Sequence, residues 1–401
     1  MTPQPFFRLN ILRSTRSCLL AMLAGILLAA MPPGTAAQRA KLPKPRILER
    51  GTQFERDAVT GEMNLRTAET RAIPEPIGIA PAIRTSVALV QAGCTVIAPD
   101  GTQVRGLTRE SFRLLEDGVP QEIASFDAAE TPASIALILD ASPSISRQLG
   151  QMREVAHSLS SALDAQDEVA VLAFSDQTHL LLPFSRDRAL LGAALASPEL
   201  ARVADSTQSL IYQAVYLTAR ELFPGRTGRK AIVLLTDGQD SGLGLTWDPA
   251  SMQTHPGAAN ALTFDDVARE LASSGVELYV ISTENRPRAM TDAWLAEHQH
   301  APLITAEARR LAMPHYTLYL AEMVRQAGGG LYFMRELGGL ADVYHRIALR
   351  LGAEYTLGYY PAAGIARAGW RTLDVELLPD AGAPAGAKVE HRAAYYVPAS
   401  R

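Results

Sequence analysis

The stretch IALILDASPS, residues 135–144, carries the pattern that decides the fold of this chain. Its first half, residues 135–139, is a run of apolar residues of the kind that fills a buried parallel strand. Its second half places oxygen donors two residues apart, at Asp140, Ser142 and Ser144. A carboxylate and two hydroxyls at the carboxyl end of a buried strand suit a hard divalent cation, and open α/β sheets bind their ligands at that end.

The composition is that of a soluble globular protein. The chain has 401 residues and a formal net charge of -4, with 47% hydrophobic and 20% charged residues. Outside the N-terminus it has no dense cluster of Lys and Arg, which argues against nucleic acid as a partner. The length predicts about two domains.

The N-terminus, residues 1–37, reads as a signal peptide. Arg8, Arg13 and Arg16 precede an apolar run at 18–30, and small residues follow at 35–37. The run is short for a membrane span, so we expect no transmembrane segment after cleavage; an uncleaved N-terminal anchor is the alternative. We therefore expect a secreted or periplasmic protein.

Hydrophobic periodicity divides the rest of the chain into four parts. Residues 38–82 read as an extended linker, 83–130 as a small β-module, 133–351 as an α/β domain, and 352–401 as strands that pack with the β-module. Strands alternating with helices predict right-handed crossovers. The predicted fold is α/β, with a doubly wound, mainly parallel sheet, helices on both faces, and a flanking β-module.

The predicted elements follow from the same periodicity. Strands are expected at 134–139, 167–174, 180–184, 230–235, 276–282 and 331–333. Helices are expected at 144–163, 186–195, 209–222, 264–274 and 340–351, with an insertion at 285–315. Three further strands are expected in the tail, at 354–360, 370–378 and 389–396.

Two other loops offer oxygen donors where a doubly wound sheet could bring them near Asp140. One holds Thr207 and Ser209 just before a predicted helix, and the other holds Thr236 and Asp237 at the end of a predicted strand. They add hydroxyls and a second carboxylate.

With these loops in order, residues 133–350 resemble a von Willebrand factor type A (VWA) domain with a metal-ion-dependent adhesion site (MIDAS). Segments 107–121 and 355–361 on either side resemble a bacterial exported subfamily. The resemblance implies a Rossmann-like VWA fold. Two departures are Pro143, where Gly is usual, and Ser209, where Thr is usual.

The resemblance also implies a set of metal ligands. Ser142 and Ser144 would bind the cation directly, Asp140 directly or through water, and Asp237 mostly through water. Ser209 matches the position of the third hydroxyl, with Thr207 as the alternative.

The chemistry of these donors favours Mg²⁺, with Mn²⁺ and Ca²⁺ as alternatives. Mg²⁺ takes six oxygens and gives up water reluctantly, so hydroxyls and water-bridged carboxylates suit it. Few directly bound anions leave the cation electrophilic, and an open position can accept Asp or Glu from a protein partner. The alternative is structural: Asp140 and the serines would cap a helix, and Asp237 would form a turn.

Other motifs give weaker hypotheses. Glu297, His298 and His300 lack the His-Glu-x-x-His spacing of zinc proteases, and the chain has neither a Gly-x-Ser-x-Gly elbow nor a phosphate-binding loop. We therefore expect a binding protein for adhesion or protein–protein interaction, with no catalytic residues. A metal-dependent enzyme or accessory subunit, and an envelope protein stabilised by a cation, remain alternatives. The sequence leaves the partner and the oligomeric state open.

Overall fold

The computed structural model places the strand that contains residues 135–139 at the centre of a seven-stranded sheet. The structure describes residues 42–49, 52–57, 63–67, 89–128, 132–142, 163–203, 208–242, 245–248, 253–256, 262–298, 301–305, 308, 310–311, 313–334, 347, 355–361 and 369–397. Segment 1–37, Ser144, Thr207 and most of the helices expected at 144–163 and 340–351 lie outside the described residues.

The described strands and helices are numbered in chain order. The strands are β1 (Arg46–Ile47), β2 (Thr52–Arg56), β3 (Met63–Thr67), β4 (Val90–Ile97), β5 (Phe112–Glu116), β6 (Val119–Gln121), β7 (Ile123–Asp127), β8 (Ala133–Asp140), β9 (Glu168–Phe174), β10 (Thr178–Ser185), β11 (Arg229–Thr236), β12 (Leu245–Asp248), β13 (Gln253–Pro256), β14 (Glu277–Ser282), β15 (Gly329–Phe333), β16 (Tyr355–Tyr359), β17 (Gly369–Leu377), β18 (Lys388–His391) and β19 (Ala394–Val397). The α-helices are α1 (Arg188–Leu195), α2 (Pro198–Val203), α3 (Ile211–Leu222), α4 (Phe264–Ser274), α5 (Asp292–Glu297) and α6 (His315–Ala327).

The central sheet has the strand order β1-β10-β9-β8-β11-β14-β15. Its inner pairs β8/β9, β8/β11, β11/β14 and β14/β15 are parallel. Strands β10 and β1 add antiparallel pairs at one edge, because β9 turns directly into β10 as a hairpin. The predicted doubly wound, mainly parallel fold is confirmed.

Both faces of this sheet are covered by helices, which explains the continuous apolar runs in its strands. Every residue of β8 is buried. Ile138 packs in the cluster formed with α3, α4 and α6, whereas Leu137 packs in the cluster formed with α1 and α2. Each fully buried large side chain contributes roughly 1.5–3 kcal/mol to folding, so this strand anchors the core.

The N-terminal segment, residues 42–67 as far as described, packs onto the α/β domain. Strand β1 pairs with β10 at the sheet edge, and β2 and β3 form a hairpin. The Arg56 guanidinium donates to both oxygens of Asp266 at the start of α4, at 3.0 and 2.6 Å. The Tyr216 hydroxyl in α3 donates to the carbonyl of Met63 at 3.1 Å. Part of the stretch read as a linker therefore contributes regular structure to the domain.

The β-module consists of two four-stranded sheets, β18-β4-β16-β7 and β19-β17-β5-β6. Strands from residues 90–127 and from residues 355–397 alternate in the first sheet, and in the second sheet β17 from the later segment pairs with β5 from the earlier one. Their shared core includes Cys94, Leu114, Leu357 and Leu373. Either segment alone, residues 90–127 or residues 355–397, would leave one side of this core exposed.

The tail differs from the prediction at its end. The single strand expected at 389–396 is two strands, β18 and β19, which pair in different sheets. The break falls at Arg392 and Ala393, where the Ala393 carbonyl accepts a hydrogen bond from the Leu373 amide at 2.9 Å. The chain crosses between the two sheets there.

None of the helices in the described part of the chain is long and apolar enough to cross a membrane.

Candidate functional site

Asp140 is the last residue of the central strand, and its side chain is completely buried, with 0% exposure. The strand presents it at the carboxyl edge of the parallel sheet, between the ends of β9 and β11. Ser142, two residues further on, is also buried. This is the edge at which the sequence predicts a ligand site.

Hydrogen-bond donors from three loops converge on the Asp140 carboxylate. The Ser142 amide donates to Oδ1 at 2.9 Å. The hydroxyls of Thr236 and Ser209 donate to Oδ2 at 2.7 and 3.3 Å. The side chain therefore bonds to groups from its own loop, from the loop before α3 and from the end of β11.

The electrostatic setting of Asp140 is unusual for a carboxyl group. Burial raises the pKa of Asp140 to about 6; hydrogen bonds from Ser142 and Thr236 oppose the rise, and the neighbouring Asp237 adds to it. A buried carboxylate without a counter-charge is costly, and a bound cation would supply that charge.

Asp237 lies one residue beyond the end of β11 and is buried. Its Oδ1 accepts the Gln239 amide at 2.9 Å, while the Gly238 amide donates to the Thr236 hydroxyl at 3.0 Å. Gly238 has φ +87°, and an added Cβ would lie 2.8 Å from Leu320 of α6. Glycine is required here because the loop turns tightly against that helix.

Of the five predicted metal ligands, Ser142 and Ser209 donate hydrogen bonds to Asp140, and Asp237 follows directly after Thr236, which also bonds to Asp140. Ser209 is buried and bonds to Asp140, and its backbone is held by the loop after Asp237. Ser144 and the alternative ligand Thr207 lie outside the described residues.

The predicted set of metal ligands left out Thr236, Asp240 and Ser241. The Thr236 hydroxyl bonds to Asp140 at 2.7 Å, and its signal was its position as the last residue of a buried strand. Asp240 and Ser241 contact the residues around Ser209. No feature of the sequence indicated that pairing.

The donor set suits a hard cation better than a soft one. Within the described ranges, no three His, Cys, Asp or Glu side chains lie close enough to hold a metal by themselves. Hydroxyl oxygens of Ser142 and Ser209 would therefore complete the coordination beside the carboxylates, as Mg²⁺ chemistry allows.

The histidine-bearing stretch is a separate feature. His298 stacks on Trp294 with ring centroids 4.3 Å apart, and its Nδ1 lies 2.8 Å from the Trp294 carbonyl oxygen. His300 lies outside the described residues. These contacts explain His298 as a helix-end residue that packs locally.

A doubly wound sheet with a buried aspartate and converging hydroxyls at its carboxyl edge defines a class of α/β ligand-binding domain. Residues 134–299 match the family model of the von Willebrand factor type A domain. Domains of this family mediate protein–protein interactions and often bind a divalent cation.

Solved structures with similar folds come from several sources. An aerotolerance-related membrane protein from Bacteroides fragilis is 18% identical, with TM-score 0.36, over 55% of this chain and 98% of that chain. The vWF domain of the type V pili tip protein Mfa5 from Porphyromonas gingivalis is 12% identical, with TM-score 0.37. The match covers 55% of this chain and 95% of that chain. Proximal thread matrix protein 1 from the mussel byssus, in a structure with a zinc-occupied MIDAS motif, is 16% identical, with TM-score 0.36. The match covers 59% of this chain and 49% of that chain. No protein with a curated description matches the chain.

Proposed function

We propose that this chain is an exported binding protein whose VWA domain captures an acidic side chain of a protein partner through a bound divalent cation. Asp140, Ser142, Ser144, Ser209 and Asp237 would hold the cation. Mg²⁺ is the cation that the donors suit best, with Mn²⁺ and Ca²⁺ as alternatives. The export step rests on the sequence of residues 1–37.

The observation that carries the proposal is the buried Asp140 carboxylate with hydroxyl groups from two other loops at 2.7 and 3.3 Å. Helix capping alone would account for a serine or aspartate in one loop. It does not account for side chains from three loops that meet at a carboxylate with no exposed surface.

The proposed chemistry is recognition and not catalysis. A cation held by hydroxyls and water-bridged carboxylates keeps much of its positive charge, so an added carboxylate from a partner is a strong ligand. A hydrolytic enzyme would need in addition a general base aimed at a cation-bound water, and the proposal assigns none.

The first experiment measures thermal unfolding of the chain in Mg²⁺, Mn²⁺, Ca²⁺ and EDTA. A cation at one hundred times its Kd stabilises the folded state by about 2.7 kcal/mol, which raises the midpoint by roughly 5–10 °C for a domain of this size. Ser209→Ala and Asp237→Asn should reduce the rise, and Asp187→Ala, which removes the N-cap of α1, should leave it intact. Equal midpoints in every cation and in EDTA would refute the cation site.

A second experiment tests partner capture. Proteins from the cell envelope that the immobilised chain retains in Mg²⁺ should elute with EDTA and should not bind the Ser209→Ala variant. Amidation of the carboxyl groups of those proteins should abolish retention. Retention that survives both EDTA and amidation would limit the cation to a stabilising role.

A further inference from the structure

The loop that follows Asp237 is bonded to the segment that carries Ser209. The Ser241 amide donates to the Ser209 carbonyl at 2.7 Å, and the Ser209 amide donates to the Ser241 hydroxyl at 3.3 Å. The two loops that would supply separate cation ligands are thus joined through the backbone on both sides of Ser209.

Asp240, the residue before Ser241, also connects this loop to the segment that follows Ser209. Helix α3 begins at Ile211, and the side chain of its N-cap residue, Leu210, makes no capping hydrogen bond. Asp240 supplies an acceptor instead, because its Oδ1 receives the Tyr212 amide at 3.3 Å while its Oδ2 receives the Gly242 amide at 2.8 Å. A carboxylate from one loop therefore caps the helix that begins in the other loop.

The two loops also touch closely. An added Cβ on Gly242 would lie 2.2 Å from Cδ2 of Leu210, so a larger residue at 242 would require the Leu210 side chain to shift. On its other side, the Leu210 amide donates to the Ser175 carbonyl at 2.8 Å. Ser209 and Leu210 are held between the loop after β11 and the turn after β9.

We propose that Asp240 is a positioning residue for the cation site. In this role it does not bind the cation; it fixes the start of α3, and with it the Ser209 hydroxyl, at the distance from Asp140 that coordination needs. Groups that orient metal ligands from outside the coordination shell typically change metal affinity by about 10–100-fold. The inference rests on the proposed cation site.

The test compares Mn²⁺ affinity, measured by titration calorimetry, in three variants and wild type. Asp240→Ala removes both acceptors and should weaken Mn²⁺ binding about tenfold or more. Asp240→Asn keeps one side-chain oxygen for the Tyr212 amide and should restore part of the affinity. Asp187→Ala is the matched control, because Asp187 caps α1 through the amides of Ala189 and Leu190, away from the site.

The control separates positioning from a general loss of stability. Both alanine variants lose a helix cap, so both unfolding midpoints should fall by similar amounts. Only Asp240→Ala should change the Kd for Mn²⁺. Equal Kd values for wild type and Asp240→Ala, or equal weakening in Asp187→Ala, would overturn the positioning role.

The Mn²⁺ titrations have two further outcomes: wild type that binds no Mn²⁺, and an Asp240→Ala variant that does not fold. If wild type binds no Mn²⁺, the cation site itself is refuted and the positioning role with it. If Asp240→Ala does not fold, Asp240→Asn and Ser241→Ala decide, since Ser241→Ala removes only the hydroxyl that accepts the Ser209 amide. Wild-type affinity in both of these variants would overturn the proposal.

Discussion

At the scale of single residues, the site depends on hydroxyl groups that bond to a buried carboxylate. The Asp140 side chain has no exposed surface, and the Thr236 hydroxyl donates to it at 2.7 Å. Hydrogen bonds to charged groups contribute roughly 1.5–3 kcal/mol each, so Thr236 should matter for both stability and cation binding.

Thr236→Val tests this role with little change in side-chain shape. We expect a loss of roughly 1–3 kcal/mol in the free energy of unfolding, because one oxygen of Asp140 loses its closest donor. Cation affinity should fall as well, since the carboxylate is less well oriented. Denaturant unfolding with and without Mg²⁺ measures both effects.

Thr218→Val is the matched control. Thr218 is also a fully buried threonine, and its hydroxyl donates to the Ala214 carbonyl inside α3 at 2.7 Å. It should change stability without changing the stabilisation that Mg²⁺ provides. If both variants keep the wild-type response to Mg²⁺, Thr236 has no part in the site.

At the scale of elements, the sequence predicted the parts of the site that lie at strand ends. The strands that end at Asp140 and at Thr236 were found because each is a continuous apolar run, which only a strand buried on both faces requires. The cap of α3 could not be predicted, because Asp240 follows a different strand and its partner is set by the folded loops.

Several elements were not predicted, and three features among them have a physical explanation. The hairpin of β12 and β13 interrupts the stretch between β11 and α4 without a strong alternating pattern. Helix α6 starts at His315 after a proline and was obscured by the irregular stretch before it. The split between β18 and β19 is shown by their pairing in different sheets.

The N-terminal segment gives a prediction that depends on pH. Burial alone would raise the pKa of Asp266, but hydrogen bonds from Arg56 and Thr263 outweigh burial and hold this pKa below its usual value. A depressed carboxyl pKa adds stability above the unfolded-state pKa of about 3.9, and that stability is lost as the pH falls through the folded-state pKa.

Arg56→Met should therefore destabilise the chain at neutral pH by roughly 1–3 kcal/mol. The difference from wild type should shrink as the pH falls below about 4 towards the lowered folded-state pKa of Asp266, because the wild type then loses the stability that its ionised carboxylate adds. Urea unfolding between pH 7 and pH 3 measures this. Arg202→Met is the control, because Arg202 pairs with Glu199 on the surface and is 69% exposed. A destabilisation that stays constant with pH would show that Arg56 does not act through Asp266.

At the scale of the whole molecule, the β-module and the proposed cation site lie at opposite ends of the central sheet. Arg229 and Glu277, which begin β11 and β14, line the same cleft as Gly93 of β4 and Arg392 of the tail. The module therefore contacts the amino ends of the parallel strands, while Asp140 and Asp237 lie at the carboxyl ends.

One buried carboxylate joins the two sheets of the module. The hydroxyls of Tyr359 in β16 and Tyr395 in β19 both donate to Oε2 of Glu116 in β5, each at 2.6 Å. Burial and the Glu116 carboxylate raise the pKa of Tyr395 to about 12, so both tyrosines donate at physiological pH. These contacts connect strands from residues on both sides of the VWA domain.

Tyr359→Phe removes one of these donors and keeps the ring. We expect a loss of roughly 1–3 kcal/mol in unfolding free energy, because Glu116 keeps only part of its hydrogen bonding. The neighbouring Tyr360→Phe, at a side chain that is 53% exposed, should have little effect. Chemical denaturation of both variants measures the difference, and equal stabilities would mean that the contact to Glu116 contributes nothing.

The most direct test of the central claim is anomalous diffraction from crystals of the chain soaked in Mn²⁺. We expect one strong anomalous peak at the carboxyl edge of the sheet, within coordination distance of oxygens from Ser142 and Ser209 and near Asp140 and Asp237. Ser209→Ala crystals under the same conditions should show a weaker peak. The absence of a peak at this edge, at a Mn²⁺ concentration high enough to saturate a protein metal site, would contradict the proposed cation site.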